Sequence, residues 1–154
     1  LRRASEKPWT EPDRRERIHV GHRTVAGGRV KKILVVEDDP VNGFIMLDFL
    51  QAQGYATSLA RTGVDGVAAF EQDRPDLMIV DVLLPLKNGF EVCFQVKRTP
   101  EGATMPVLMM SAIYKDLDHA EEYTKNGLAA QGFLVKPFDM WDLLDRVRAL
   151  VGEA

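Results

Sequence analysis

From Lys31 onward, short apolar runs alternate with longer stretches of mixed polarity. KKILVV is rich in β-branched residues and reads as a strand buried on both faces. The acidic turn EDDP follows, then VNGFIMLDFLQAQG, a helical stretch closed by Gly54. Ala56–Ala60 is a weaker strand, and Val64–Gln72 a helix that stops before Pro75. LMIV, Leu77–Val80, is the next buried strand. Gly89–Arg98 then reads as a helix with Phe90, Val92, Cys93, Phe94 and Val96 as its apolar positions. PVLMM, Pro106–Met110, is a fourth strand, and Asp118–Asn126 a polar helix stopped by Gly127. FLV, Phe133–Val135, precedes Lys136-Pro137, and MWDLLDRVRALV closes the series as an amphipathic helix.

Five strands alternating with five helices predict an α/β fold, a doubly wound parallel sheet covered on both faces. Residues 1–30 lack a sustained period and contain Pro8, Pro12 and the Gly27-Gly28 pair. They read as an extension or linker, with one short helix near Asp13–Val20, ahead of a domain spanning 31–154. In the first helix, 100° per residue places Ile45, Met46, Phe49 and Leu50 on a core stripe, with Phe44 and Leu47 roughly opposite.

Charge divides the chain at the same boundary. Residues 1–32 hold ten Lys/Arg against four Asp/Glu, a balance of +6; residues 33–154 hold ten against nineteen, a balance of −9. An acidic body with a basic arm argues against nucleic-acid binding by the body and leaves that reading open only for the arm. No apolar run approaches membrane-spanning length, and LRRASEKPW lacks the apolar core of a signal peptide. The single cysteine, Cys93, cannot form an internal disulfide and sits in a helix-interior pattern as an inert core thiol. These features suit a cytoplasmic protein with no membrane partner. Although LRRAS resembles a basophilic kinase substrate motif at Ser5, such short motifs are common by chance.

The chemistry sits where the strands end. In a parallel sheet of this kind, ligands bind at the carboxyl ends of the strands. Strand one ends in Glu37-Asp38-Asp39, strand three in Asp81, strand four in Ser111 and strand five in Lys136. Asp39 before Pro40 fits a helix N-cap, whereas three consecutive acids exceed what capping needs. Clustered carboxylates repel and raise each other's pKa unless a cation intervenes, and an all-oxygen set suits Mg²⁺. Lys136 adds a compact positive charge and Ser111 a hydroxyl donor. An aspartate beside a divalent cation, a lysine and a hydroxyl can accept a phosphoryl group, since that transfer depends mainly on positioning and charge neutralisation. A structural ion pair between Asp81 and Lys136 is compatible with that chemistry. His19, His22 and His119 lie in the arm or the polar helix and are assigned no role.

Together, ILVVEDDP, MIVDVLLPLKNGFEV, MMSA and FLVKPF, in this order, resemble the receiver domain of two-component response regulators, chemotaxis regulators among them, over roughly residues 31–152. That resemblance implies a flavodoxin-like sheet of order 2-1-3-4-5. It implies Asp81 as phosphoacceptor, with Mg²⁺ held by Glu37, Asp38, Asp81 and the backbone carbonyl of Leu83. Ser111 and Lys136 would contact the phosphoryl oxygens, Ser111 and Phe133 would act as the switch pair, and Lys136-Pro137 would be a cis peptide. Implied partners are a histidine kinase or histidine phosphotransfer protein docking at Phe44, Leu47 and Pro137, a downstream protein target, and a homodimer. The domain would work as a switch rather than an enzyme, either alone or within a larger regulator or hybrid kinase.

Some positions depart from the family pattern. Leu83 and Ile113, each two residues past a site residue, are apolar and cannot orient a hydrolytic water, which implies slow loss of the phosphoryl group. Phe133 lacks the hydroxyl of the usual tyrosine. NGLAAQGF looks lengthened, which bears on dimerisation through that side of the domain. Two rival readings follow from the same residues. An aspartate-nucleophile phosphohydrolase would commonly place a second aspartate at position 83, where this chain has leucine. A DNA-binding regulator would have to use the basic arm, since no reading helix is recognisable.

Overall fold

The computed structural model describes residues 29–112 and 130–154. Its elements in chain order are β1 (Lys32–Val36), α1 (Pro40–Ala52), β2 (Ala56–Ala60), α2 (Gly63–Asp73) and β3 (Leu77–Asp81). They continue with α3 (Gly89–Lys97), α4 (Pro100–Thr104), β4 (Val107–Ser111), β5 (Gly132–Val135) and α5 (Met140–Val151). The strands form one sheet in the order β2-β1-β3-β4-β5, and every ladder is parallel. The expected architecture is present. The polar helix expected at Asp118–Asn126 lies outside the described residues. Helix α4, absent from the sequence reading, is a five-residue turn started by Pro100, with Thr99 capping Gly102. Five residues are too few for a period to show.

Alternation along the strands splits the core in two. Leu34, Val36, Met78, Val80, Val107 and Met109 face α2 and α3, where Phe70, Val92, Cys93 and Val96 meet them. Ile33, Val35, Leu77, Ile79, Leu108 and Met110 face α1 and α5, against Met46, Leu50, Leu143, Leu144 and Val147. β1, β3 and β4 are therefore apolar at consecutive positions because both of their faces are covered.

The rotation of α1 corrects the sequence reading. Its buried residues are Gly43, Met46, Leu47 and Leu50, spaced i, i+3, i+4 and i+7. Leu47 is only 6% exposed and Ile45 is 49% exposed, which reverses the faces expected for both; Phe44 is half-buried. The cause is Gly43, where a Cβ would lie 3.0 Å from Leu59 Cδ1 and Cδ2. The helix approaches β2 most closely at its glycine, a contact that hydropathy does not register.

Candidate functional site

Period two along the strands decides which polar ends meet. Glu37 shares parity with Ile33 and Val35, Asp81 with Leu77 and Ile79, and Lys136 with Leu134, so all three point to the α1/α5 side of the sheet. Register does the rest: Val36 pairs with Val80, so Glu37 and Asp81 are neighbours across the β1/β3 ladder. Lys136 follows β5 directly and is held there by its backbone N–H, which donates to the Ser111 carbonyl at 2.7 Å. Its peptide bond to Pro137 is cis, as expected.

The Lys136 ammonium donates to Asp81 Oδ2 at 2.6 Å and to Glu37 Oε2 at 3.0 Å. The remaining Asp81 oxygen, Oδ1, accepts from the Leu83 backbone N–H at 3.0 Å. Glu37 and Asp81 are buried, whereas Asp38 is exposed at the rim. Ligand oxygens of Glu37, Asp38 and Asp81 lie within 4.8 Å of one another. Burial, and then hydrogen bonding and charge from Asp81, push the Glu37 carboxyl up to about 7, although Lys136 pulls the other way. Burial opposes the charge on Lys136, but the hydrogen bonds to Asp81 and Glu37 outweigh it and raise its pKa. One ammonium thus serves two buried carboxylates, and a third stands beside them. The pocket is short of positive charge, and an all-oxygen donor set of this size fits a hard divalent cation.

Asp39 takes the capping role. Its side chain accepts from the Val41 N–H at 2.9 Å and from Asn42 at 3.0 Å, leaving Glu37 and Asp38 to the pocket. Ser111 is buried at the end of β4, with its parity matching Met109, on the side of the sheet where Phe133 packs. Leu83 is 54% exposed at the mouth and Pro137 is exposed beside it. Ile113 and Gly127 lie outside the described residues. The sequence reading missed Asn88, whose side chain caps α3 by accepting from the Glu91 N–H at 3.0 Å; the Asn-x-x-Glu spacing was the available signal.

Comparison with known proteins matches this arrangement. The family described as the response regulator receiver domain matches residues 33–148. The chain belongs to that family. Its receiver domain is 36% identical over 120 residues to the DNA-binding dual master transcriptional regulator RpaA of Synechocystis sp. (strain ATCC 27184 / PCC 6803 / Kazusa), covering 78% of this chain and 48% of RpaA. It is likewise 36% identical over 120 residues to the response regulator MprA of Mycobacterium avium (strain 104), covering 78% of this chain and 50% of MprA. The chain spans about half the length of the curated relatives it matches. Among solved structures, the chemotaxis response regulator CheY4 of Vibrio cholerae superposes with a TM-score of 0.72 at 28% identity, covering 79% of this chain and 99% of CheY4. The receiver domain of the sensor histidine kinase PA1611 of Pseudomonas aeruginosa PAO1, solved with a magnesium ion coordinated in its active-site cleft, shares the fold at 24% identity and a TM-score of 0.72, covering 81% of this chain and all of that one. Receiver domains serve two-component signalling generally as switches. Among the described residues, no helix is long and apolar enough to cross a membrane.

Proposed function

We propose that Asp81 accepts a phosphoryl group from a phosphohistidine and that the resulting aspartyl phosphate switches the protein contacts of the domain. The observation that supports this best is the Lys136 ammonium bridging Asp81 and Glu37 beneath an open rim. An Asp81 carboxylate oxygen attacks phosphorus and the P–N bond of the donor breaks. The bonding pair stays on the imidazole nitrogen, leaving the donor histidine neutral. Glu37, Asp38, Asp81 and the Leu83 carbonyl would hold Mg²⁺, which when bound neutralises phosphoryl charge during transfer. Lys136 is placed to follow the acceptor oxygen and pair with the phosphoryl group. The buried Ser111 hydroxyl and Phe133, on the opposite side of the sheet, would carry the change toward β5.

Leu83 overhangs this site without a polar group to orient water, so the aspartyl phosphate is long-lived and the protein is a switch rather than a hydrolase. The protein donor, a histidine kinase or phosphotransfer protein, would approach over the exposed side of α1, which is formed by Val41 and Ile45 rather than Leu47, and beside Pro137. RpaA is named for DNA binding, but residues 33–154 of this chain carry a balance of −9, which opposes contact with a phosphate backbone. Incubation with acetyl phosphate and Mg²⁺ followed by intact mass tests the reading. The native chain should gain one phosphoryl group and Asp81→Ala none. No gain by the native chain, or an equal gain by the variant, refutes it.

A further inference from the structure

The described surface shared by α1 and α5 has an apolar stripe with an acidic border. Val41 and Ile45, 63% and 49% exposed, stand one turn apart on α1. Phe49 continues the row and meets Trp141 of α5 edge-on, with ring centroids 5.3 Å apart. Trp141 is itself 61% exposed. Asp48 flanks the row on α1 and Asp145 flanks it on α5, both exposed. From Glu37 to Gln53 the sequence holds four acidic residues and no Lys or Arg, and from Asp139 to Asp145 three acids and no base. Arg148, two turns beyond Trp141 on α5, pairs with Glu153, so the apolar centre keeps an acidic border and fits an occupant that is basic and carries apolar side chains.

The chain contains such a segment. Residues 1–28 hold seven Lys/Arg against four Asp/Glu, a balance of +3, while the rest of the chain is acidic. Arg14, Arg15, Arg17 and Arg23 surround Ile18 and Val20. The attachment point is also suitable. Arg29 pairs with Asp76, and the Lys32 backbone N–H donates to the same carboxylate at 2.8 Å, so the segment leaves from the amino edge of β1. A five-residue strand is about 17 Å long, whereas 28 residues can extend to roughly 90 Å. The tether does not limit the encounter.

We propose that residues 1–28 dock in cis on the Val41–Ile45–Phe49–Trp141 stripe, with their arginines facing Asp48 and Asp145. Where this touches signalling it rests on the function proposed above. A docked arm occupies the side of α1 that a protein donor would approach, but leaves the pocket mouth open to a small phosphodonor.

The chain has two tryptophans, Trp9 and Trp141, so in a Trp9→Phe background the emission reports Trp141 alone. Acrylamide quenching is compared between that full-length chain and the same chain carrying Arg14→Glu, Arg15→Glu and Arg17→Glu. An effective arm concentration on the order of millimolar, against a docking constant of similar size, protects Trp141 about twofold in the native-arm chain. Protection should vanish in about 1 M NaCl, where charges are screened beyond about 3 Å, and Asp48→Lys with Asp145→Lys should abolish it at low salt. Equal quenching in the two chains at low salt overturns the proposal, as does protection that survives high salt. Protection lost on roughly hundredfold dilution also overturns it, because docking within one chain does not depend on protein concentration. Failure of acetyl phosphate labelling would count against the proposed function and leave the quenching result standing.

Discussion

Gly89 is where the acceptor strand and the next helix touch, and replacing it should be costly. A Cβ there would lie 2.2 Å from the Asp81 carbonyl oxygen and 2.9 Å from both the Asp81 carbonyl carbon and Val82 Cα. All three partners are backbone, so no side chain can swing aside. The Gly89 N–H also donates to the Val82 carbonyl at 2.9 Å, closing the loop after Asp81. Gly89→Ala must push α3 and the end of β3 apart by about 1 Å. Overpacking costs about 1–3 kcal/mol, the strained hydrogen bond adds about 1 kcal/mol, and alanine's better helix propensity returns up to about 1 kcal/mol. A net loss of about 1–3 kcal/mol lowers Tm by roughly 2–12 °C at this chain length. Thermal unfolding followed by circular dichroism measures it, and acetyl phosphate labelling of the folded variant should slow because Asp81 itself is displaced. An unchanged Tm with an unchanged labelling rate would show that the close approach is not as tight as these distances require.

The same loop offers the opposite perturbation. Leu86 has φ 69° and is 93% exposed, so its left-handed backbone is strained with no burial in return. That conformation costs a non-glycine residue about 1–2 kcal/mol, and glycine's larger unfolded-state entropy gives back about 0.5–1 kcal/mol; Leu86→Gly should therefore raise stability in urea titration by about 0.5–1 kcal/mol, and a loss would refute the strain argument. Cys93 is fully buried, and burial pushes its thiol up to about 11 despite Lys97 nearby. With the folded pKa raised, thiolate appears only as pH climbs toward that value, so at pH 8 about one molecule in a thousand is ionised; native protein should react with Ellman's reagent far more slowly than urea-unfolded protein, and equal rates would contradict the burial. Leu83→Asn places a water-orienting carboxamide over the proposed aspartyl phosphate and should shorten its lifetime roughly tenfold, read as loss of the phosphorylated mass with time; an unchanged lifetime would remove Leu83 as the cause of slow hydrolysis.

Much of the fold was legible because both faces of β1, β3 and β4 are covered, which leaves consecutive apolar runs with polar punctuation at one end. Glu37, Asp81, Ser111 and Lys136 stood out as the polar residues that end those runs. The sequence could not set the rotation of α1. Nearly every turn of that helix is apolar, and its orientation is chosen by Gly43 against Leu59, a steric choice between backbone and side chain. The left-handed Leu86 was equally silent, since leucine carries no turn signal and the conformation is imposed by the closure of the loop onto Gly89. Nor could spacing alone say whether Lys136 pairs with Asp81, with Glu37 or with both. That answer depends on register between β1, β3 and β5, which only the assembled sheet fixes.

The double pairing of Lys136 bears on how the site could switch. Its ammonium joins Glu37 on β1 and Asp81 on β3, while its backbone N–H ties β5 to the Ser111 carbonyl on β4. One residue therefore links the ends of four strands. Addition of a phosphoryl group to Asp81 extends the charge that Lys136 follows by the length of a P–O bond, and the lysine cannot shift without altering its pull on Glu37 or its hold beside Ser111. Glu37 is already poised near neutrality by burial and by Asp81, so it is the partner more readily released. On the proposed function, the pull is transmitted toward Ser111 and Phe133 through the β4–β5 ladder rather than toward β1. A Glu37→Gln variant keeps the shape and removes the competing charge; because Glu37 also belongs to the proposed Mg²⁺ set, the comparison is made on the fraction that intact mass shows to be phosphorylated, in which the response of the Phe133 environment to acetyl phosphate should persist. Loss of that response, followed by side-chain NMR of Phe133, would place the transmission through β1 instead.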